Sequence, residues 1–318
     1  MPMQVILAKP RGFCAGVERA VQVVETALAQ YGPPVYVRKE IVHNVHVVGR
    51  LRDKGAIFVD ELDEVPRGAL AILSAHGSPP WVYEEARRRG LRLIDATCPL
   101  VTKVHREVHR YVRDGYHIVF IGHAGHDEVI GTKGQAPERT VLVQTVEDAR
   151  RLEWPAGRRG VILTQTTLSQ DDTQAIVDVL RARFPSLELP PKDDICYATQ
   201  NRQNAVKQIA GRIDLLLVIG SRNSSNSIRL TEVAAARGVR AHLIDGADEI
   251  DPRWLEGARC VGVTSGASAP EDVVQAVLDW LRAHSVAQVT EIDAPDEGVV
   301  FKMPAMAPLS QQGDKVTR

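Results

Sequence analysis

Asp95-Ala96-Thr97-Cys98-Pro99-Leu100-Val101 opens an amphipathic stretch in which Val101, Val104, Val108 and Val112 recur at helical spacing among Lys, Arg and Glu. The same arrangement, a cysteine followed at once by a helix, occurs twice more. Gly12-Phe13-Cys14-Ala15-Gly16-Val17 leads into Val17, Val21, Val24 and Leu28, and Asp194-Ile195-Cys196-Tyr197-Ala198-Thr199 leads into the weaker series Ala205, Val206 and Ile209. Each cysteine therefore stands near a helix N-terminus.

Some 28 or 29 residues beyond each cysteine comes a polar loop: His43-Asn44, His126 and Ser224-Ser225-Asn226. The last two follow the apolar runs His117-Ile118-Val119-Phe120-Ile121-Gly122 and Leu215-Leu216-Leu217-Val218-Ile219-Gly220. A second strand comes next in each unit, at 56–60, 140–144 and 240–245. A third then runs into small polar residues: Ser74-Ala75-His76-Gly77-Ser78, Thr164-Gln165-Thr166-Thr167 and Thr264-Ser265-Gly266-Ala267-Ser268. Short apolar strands alternating with amphipathic helices predict an α/β fold of three pseudo-repeated units with mainly parallel sheets. The units run over 14–97, 98–195 and 196–281. Residues 1–13 pack at or against the centre, and 282–318 form an extension with one strand at Gly298-Val299-Val300-Phe301-Lys302. In open parallel sheets ligands bind beyond the carboxyl ends of the strands. Those ends here carry His, Ser, Thr, Asn and Cys.

Composition narrows the chemistry. The 318 residues carry 39 Lys+Arg against 40 Asp+Glu, a net charge of −1, so no global field draws the chain to nucleic acid or an anionic membrane. Met1–Pro10 has only Val5-Ile6-Leu7-Ala8 as an apolar run, and no stretch approaches the ~20 apolar residues that span a bilayer. A cytoplasmic protein is expected. Neither Gly-x-x-x-x-Gly-Lys-Ser/Thr nor Gly-x-Gly-x-x-Gly occurs, so nucleotide binding lacks positive support.

The four cysteines, Cys14, Cys98, Cys196 and Cys260, are too dispersed for a local Cys-x-x-Cys motif. Any one of them alone reads as a small buried hydrophobe. The recurrence of three at helix starts changes that reading, because a helix N-terminus lowers thiol pKa and offers amide donors. Three thiolates without a fourth suit a four-iron four-sulfur cluster with one iron left open. Zinc with three Cys and one His is the rival. Cys260, in Cys260-Val261-Gly262-Val263, reads as core. His43, His76, His126, Ser224, Ser225, Asn226 and Ser268 suit a small diphosphate held by side chains and helix-start amides. Histidines that are cationic on binding would strengthen that hold. Arg222 and Arg229 flank the Ser/Asn cluster and read equally as surface residues. Glu128, two residues after His126, suits proton delivery if its pKa is raised, and otherwise is a solvated loop glutamate.

These segments together resemble the 4-hydroxy-3-methylbut-2-enyl diphosphate reductase (LytB) family over residues 4 to about 302. The match is carried by 10–17, 41–44, 74–77, 95–99, 122–128, 164–169, 193–199, 224–227 and 266–270 in order. The resemblance implies a trefoil of three α/β units around one 4Fe-4S cluster per chain, held by Cys14, Cys98 and Cys196. It implies a diphosphate site lined by His43, His76, His126, Thr167, Ser224, Ser225, Asn226 and Ser268, with Glu128, His126 and Thr167 as catalytic residues. The implied reaction takes two electrons and two protons to remove an allylic hydroxyl, giving isopentenyl and dimethylallyl diphosphates in the last step of the methylerythritol phosphate route. Electrons come from ferredoxin or flavodoxin. Asp127 stands where the family often has proline, and the segment after Met303 matches no family pattern. A cluster-dependent hydro-lyase and a zinc-stabilised binding module for phosphorylated ligands remain as alternatives.

Overall fold

Leu215-Leu216-Leu217-Val218-Ile219 is buried throughout, and successive side chains enter different cores. Leu215, Leu217 and Ile219 join Val5, Leu7, Val261 and Val263, whereas Leu216 and Val218 join Ile6 and Ala8. A strand covered on both faces has no polar side to alternate with, which is why these strands read as continuous apolar runs. The computed structural model describes residues 3–284, 286–294 and 297–306. Among them no helix is long and apolar enough to cross a membrane.

The elements are β1 (Met3–Leu7), α1 (Ala15–Tyr31), β2 (Val35–Arg38), α2 (Val45–Asp53), β3 (Ala56–Val59), β4 (Leu70–Leu73), α3 (Pro80–Arg88) and β5 (Arg92–Asp95). Next come α4 (Pro99–Arg113), β6 (His117–Ile121), α5 (Asp127–Lys133), β7 (Thr140–Val143), α6 (Val146–Arg151), β8 (Gly160–Thr164), α7 (Gln170–Arg183) and β9 (Leu187–Glu188). Then follow α8 (Tyr197–Ile209), β10 (Leu215–Ile219), α9 (Ser225–Ala235), β11 (Arg240–Ile244), β12 (Cys260–Ser265), α10 (Glu271–Ala283) and β13 (Val286–Glu291).

Three all-parallel sheets result, ordered β3-β2-β4-β5, β7-β6-β8-β9 and β11-β10-β12-β1-β13. The first four strands follow one plan in every sheet, and the strand leading into a cysteine lies beside the third strand of its unit: β5 by β4, β9 by β8, and β1 by β12. The third unit thus takes its fourth strand from the start of the chain.

Two compact bodies emerge. One comprises the residues up to Glu18, His43–Arg50 and Tyr197–Val300, and contains the five-stranded sheet. The other comprises Arg19–Val42, Leu51–Cys196 and the residues from Phe301, and contains both four-stranded sheets. In the first, α10 covers one sheet face through Val273, Val274, Val277, Leu278 and Leu281, while α8 and α9 cover the other. In the second, Val104, Val108 and Tyr111 of α4 pack on Ile118, Phe120, Val161 and Leu163, while Ile176, Val177 and Leu180 of α7 cover the opposite face.

The strand expected at 298–302 is not formed. The free edge of β1 pairs instead with β13, leaving the later segment irregular, with Val300 89% exposed. The segment beyond residue 306 lies outside the described residues.

Candidate active site

Each cysteine is placed by the same backbone bond. The N–H of Cys14 donates to Ala267 O at 3.1 Å, that of Cys98 to Ala75 O at 3.0 Å, and that of Cys196 to Thr166 O at 3.0 Å. In every case the acceptor lies two residues past the end of the unit's third strand, β12, β4 or β8. Cys98 is the N-cap residue of α4, with Pro99 at the first helical position, where no amide donor is needed. All three cysteines stand outside any disulfide among the described residues and are half-buried. Gly12, two residues before Cys14, has φ +73° and donates its N–H to Ser265 Oγ at 2.8 Å, a left-handed turn that favours glycine. Cys260 is also outside any disulfide but opens β12, at the opposite end of the strand from Ser265. Its N–H is taken by Asp214 Oδ2 at 3.0 Å, and it is half-buried beside the apolar core rather than within it.

The three polar loops are helix caps, which the sequence reading did not assign. Asn44 Oδ1 accepts from the N–H groups of His46 and Val47, both at 3.1 Å, at the start of α2. His126 Nδ1 accepts from Glu128 N at 3.1 Å at the start of α5, and Ser224 Oγ accepts from Ser227 N at 3.4 Å at the start of α9. An accepting Nδ1 assigns His126 the neutral tautomer with hydrogen on Nε2. In this arrangement His126 presents Nε2–H as its donor. Its ring stands edge-on to that of His76, centroids 5.8 Å apart, and Ser74 Oγ lies 3.4 Å from His76 Nδ1. In the other body, Ser268 Oγ donates to His43 O at 2.9 Å, and Asn223 Nδ2 lies 3.4 Å from His43 Nδ1.

Asn226 is only 5% exposed, and among the described residues neither of its amide atoms has a hydrogen-bond partner. An orphaned buried amide costs roughly 1–3 kcal/mol. Ser224, Ser225 and Ser268 are buried with it in the same body. Arg222 is committed to Glu249 at 3.0 Å and Asp245 at 3.3 Å, and Arg229 to Glu232 at 2.5 Å. Both arginines are thus engaged by carboxylates.

Glu128, in the first turn of α5, is 2% exposed, not a solvated loop residue. Its Oε1 accepts from Thr166 N at 2.7 Å and its Oε2 from Thr166 Oγ1 at 2.9 Å. Burial pushes the carboxyl up to about 7, although both Thr166 bonds favour the anion. Asp127 is half-buried beside it in the same turn. Thr166 also provides the carbonyl that holds Cys196, so one residue joins a protonatable carboxyl to a cysteine loop. Thr167 Oγ1 accepts from Gln165 Nε2 at 3.0 Å, and Gln165 Oε1 accepts from His123 N at 3.1 Å. The sequence pattern alone does not single out Thr166 or Gln165 within the 164–169 motif. Ala75, Thr166 and Ala267 occupy equivalent repeat positions, the signal that would have singled out Thr166.

The LytB protein family matches residues 5–282. The chain is 58% identical over 318 residues to 4-hydroxy-3-methylbut-2-enyl diphosphate reductase of Acidothermus cellulolyticus, covering 99% of this chain and 94% of the relative. It is 56% identical over 302 residues to the reductase of the same name from Nocardia farcinica, covering 95% and 90%. Among solved structures, the E-1-hydroxy-2-methyl-but-2-enyl-4-diphosphate reductase of Plasmodium falciparum superposes with a TM-score of 0.91 at 39% identity, covering 95% of this chain and 96% of that one. With equivalent cysteines opening helices in three parallel-sheet units and relatives alike over nearly their whole length, the chain belongs to the LytB protein family.

Proposed function

We propose that the protein catalyses reductive removal of the allylic hydroxyl of 4-hydroxy-3-methylbut-2-enyl diphosphate, the terminal step of the methylerythritol phosphate pathway. The substrate takes two electrons and two protons, loses its hydroxyl as water and yields isopentenyl or dimethylallyl diphosphate. The observation that carries this reading is Thr166, whose N–H and hydroxyl hold Glu128 while its carbonyl holds Cys196.

Cys14, Cys98 and Cys196 would hold a 4Fe-4S cluster. The donor set fits, because three repeat-equivalent thiols precede helices while Cys260 lies at the far end of its strand. When bound, such a cluster supplies electrons one at a time and a Lewis-acidic iron free of protein thiolate. Ferredoxin or flavodoxin is the donor class that matches one-electron delivery. Cytoplasmic localisation belongs to the same reading, since thiolate ligands need a reducing compartment.

Glu128 stores the proton for the leaving hydroxyl. With a pKa of about 7 it is substantially protonated near neutrality, and after releasing the proton its carboxylate is received by the N–H and Oγ–H of Thr166. The diphosphate is assigned to His43, His76, His126, Thr167, Ser224, Ser225, Asn226 and Ser268. Nε2–H of His126 and the amide of Asn226 supply neutral donors. Anaerobic turnover with substrate and a chemical reductant, followed by mass spectrometry of the products, tests the reaction. Two electrons consumed per product is the expected result. Loss of water without electron uptake would replace the reductase with a hydro-lyase, and inactive zinc protein with bound diphosphate would leave a binding module.

A further inference from the structure

Each helix that follows a cysteine carries, five or six residues beyond that cysteine, a cation that grips the backbone leading to the next cysteine in the cycle 14, 98, 196. Arg19 in α1 donates from Nη1 to Ala96 O at 3.2 Å and Thr97 O at 3.0 Å, the two carbonyls before Cys98. Lys103 in α4 donates from Nζ to Lys192 O at 3.2 Å, Asp193 O at 3.1 Å and Asp194 Oδ1 at 2.8 Å, the approach to Cys196. Arg202 in α8 closes the cycle, donating from Nη2 to Gly12 O at 2.9 Å, two residues before Cys14.

Arg202 is 0% exposed and Arg19 8% exposed, and the Lys103 side chain is 30% exposed. A cation is costly to bury without a carboxylate partner. Asp194 at 2.8 Å and Glu107 at 3.3 Å both pair with Lys103, and Glu297 reaches Arg202 Nη1 at 2.9 Å, where the approach to Cys14 has no acid of its own. Burial pulls the Arg19 guanidinium below its ordinary pKa, and the negative forms of Asp95 and Cys98 oppose that shift. Chance placement of three cations would not select, three times, the backbone ahead of a cysteine in a different repeat.

We propose that Arg19, Lys103 and Arg202 are positioning residues for the metal centre, each fixing the segment that delivers the next cysteine and together offsetting negative charge at three thiolates. This rests on the assignment of those cysteines as cluster ligands. Two consequences separate the role from general structural support. Outer-shell groups that orient ligands commonly change metal retention by about 10- to 100-fold, and charge near a cluster changes its reduction potential.

The test uses full-length protein loaded anaerobically and carrying Lys103→Met, Lys103→Arg, Arg19→Lys or, as a control from the exposed face of α4, Arg106→Met. Iron and sulfide content, the rate of iron loss to a chelator and the midpoint potential are measured. Lys103→Met is expected to lose iron about 10- to 100-fold faster and to have a more negative potential, because the added electron no longer meets a cation. Lys103→Arg should restore both, and Arg106→Met should match wild type. Arg19→Lys keeps the charge but loses the fork, so it should shed iron faster at a nearly unchanged potential. Wild-type iron retention and potential in Lys103→Met, or wild-type retention in Arg19→Lys, would overturn the proposal while leaving the cluster assignment intact. Wild-type protein that takes up no iron and sulfide overturns the assignment, and the proposal with it.

Discussion

Glu128→Gln separates chemistry from folding because the two effects have opposite signs. The carboxyl titrates near 4.5 in an unfolded chain and near 7 in the fold, so between those values the folded protein keeps a proton the unfolded chain has released. Its contribution to stability is complete below pH 4.5 and is lost as pH rises through 7, a change of about 3 kcal/mol at ~1.4 kcal/mol per unit. Glutamine removes the charge and can retain both Thr166 contacts, with Oε1 accepting from the N–H and Nε2 donating to the hydroxyl. The variant should therefore unfold at the wild-type temperature near pH 4.5 and be up to about 3 kcal/mol more stable at pH 8. It cannot release the proton, and a positioned acid contributes about 10²–10⁴-fold, so kcat should fall by that factor, roughly 3–5 kcal/mol of barrier. Anaerobic turnover with saturating reductant measures the rate, and thermal unfolding across pH 4.5–8 measures stability. The wild-type rate should decline as pH rises past about 7. A Glu128→Gln protein with the wild-type rate, beside an Asp127→Asn protein that lacks it, would transfer the proton role to Asp127. Destabilisation of Glu128→Gln at pH 8 would show that Thr166 holds an anion and that the raised pKa is wrong.

Asn226→Leu removes two orphaned buried polar atoms, so the ligand-free protein should gain about 1–3 kcal/mol by thermal unfolding while diphosphate binding, measured by calorimetry, weakens about tenfold or more. Loss of stability with unchanged affinity would take Asn226 out of the site. A methyl group at Gly266 would sit 2.0 Å from Ser227 Oγ, so Gly266→Ala should cost about 1–3 kcal/mol, and adding Ser227→Ala should recover most of it in urea unfolding. Additive losses in the double variant would refute that contact.

The threefold plan was legible because it is written twice, as cysteines before amphipathic helices and as apolar runs ending in polar residues. What escaped the sequence reading depends on pairing between distant segments. The run at 5–8 is too short to announce that β1 completes the third sheet, a role set by its register beside Val261 and Val263. Val299-Val300 resembles a strand locally, but β13 takes the edge of β1 first. Periodicity identifies the buried face of a helix and cannot show that Asn44, His126 and Ser224 cap helices, since a cap needs the loop geometry around it. Arg19, Lys103 and Arg202 were visible at nearly constant spacing after each cysteine. A lone cation on a helix nevertheless reads as solvated until its carbonyl partners are known.

Cys14, Cys98 and Cys196, and not Cys260, are the proposed holders of the iron-sulfur cluster. Metal and sulfide analysis of anaerobically prepared wild type and the four single Cys→Ser variants tests that assignment most directly. About four iron and four sulfide per chain are expected in wild type and Cys260→Ser, with the cluster lost or severely depleted in Cys14→Ser, Cys98→Ser and Cys196→Ser. Zinc without sulfide in the wild type, or loss of the cluster in Cys260→Ser while one of the other three retains it, would contradict the account.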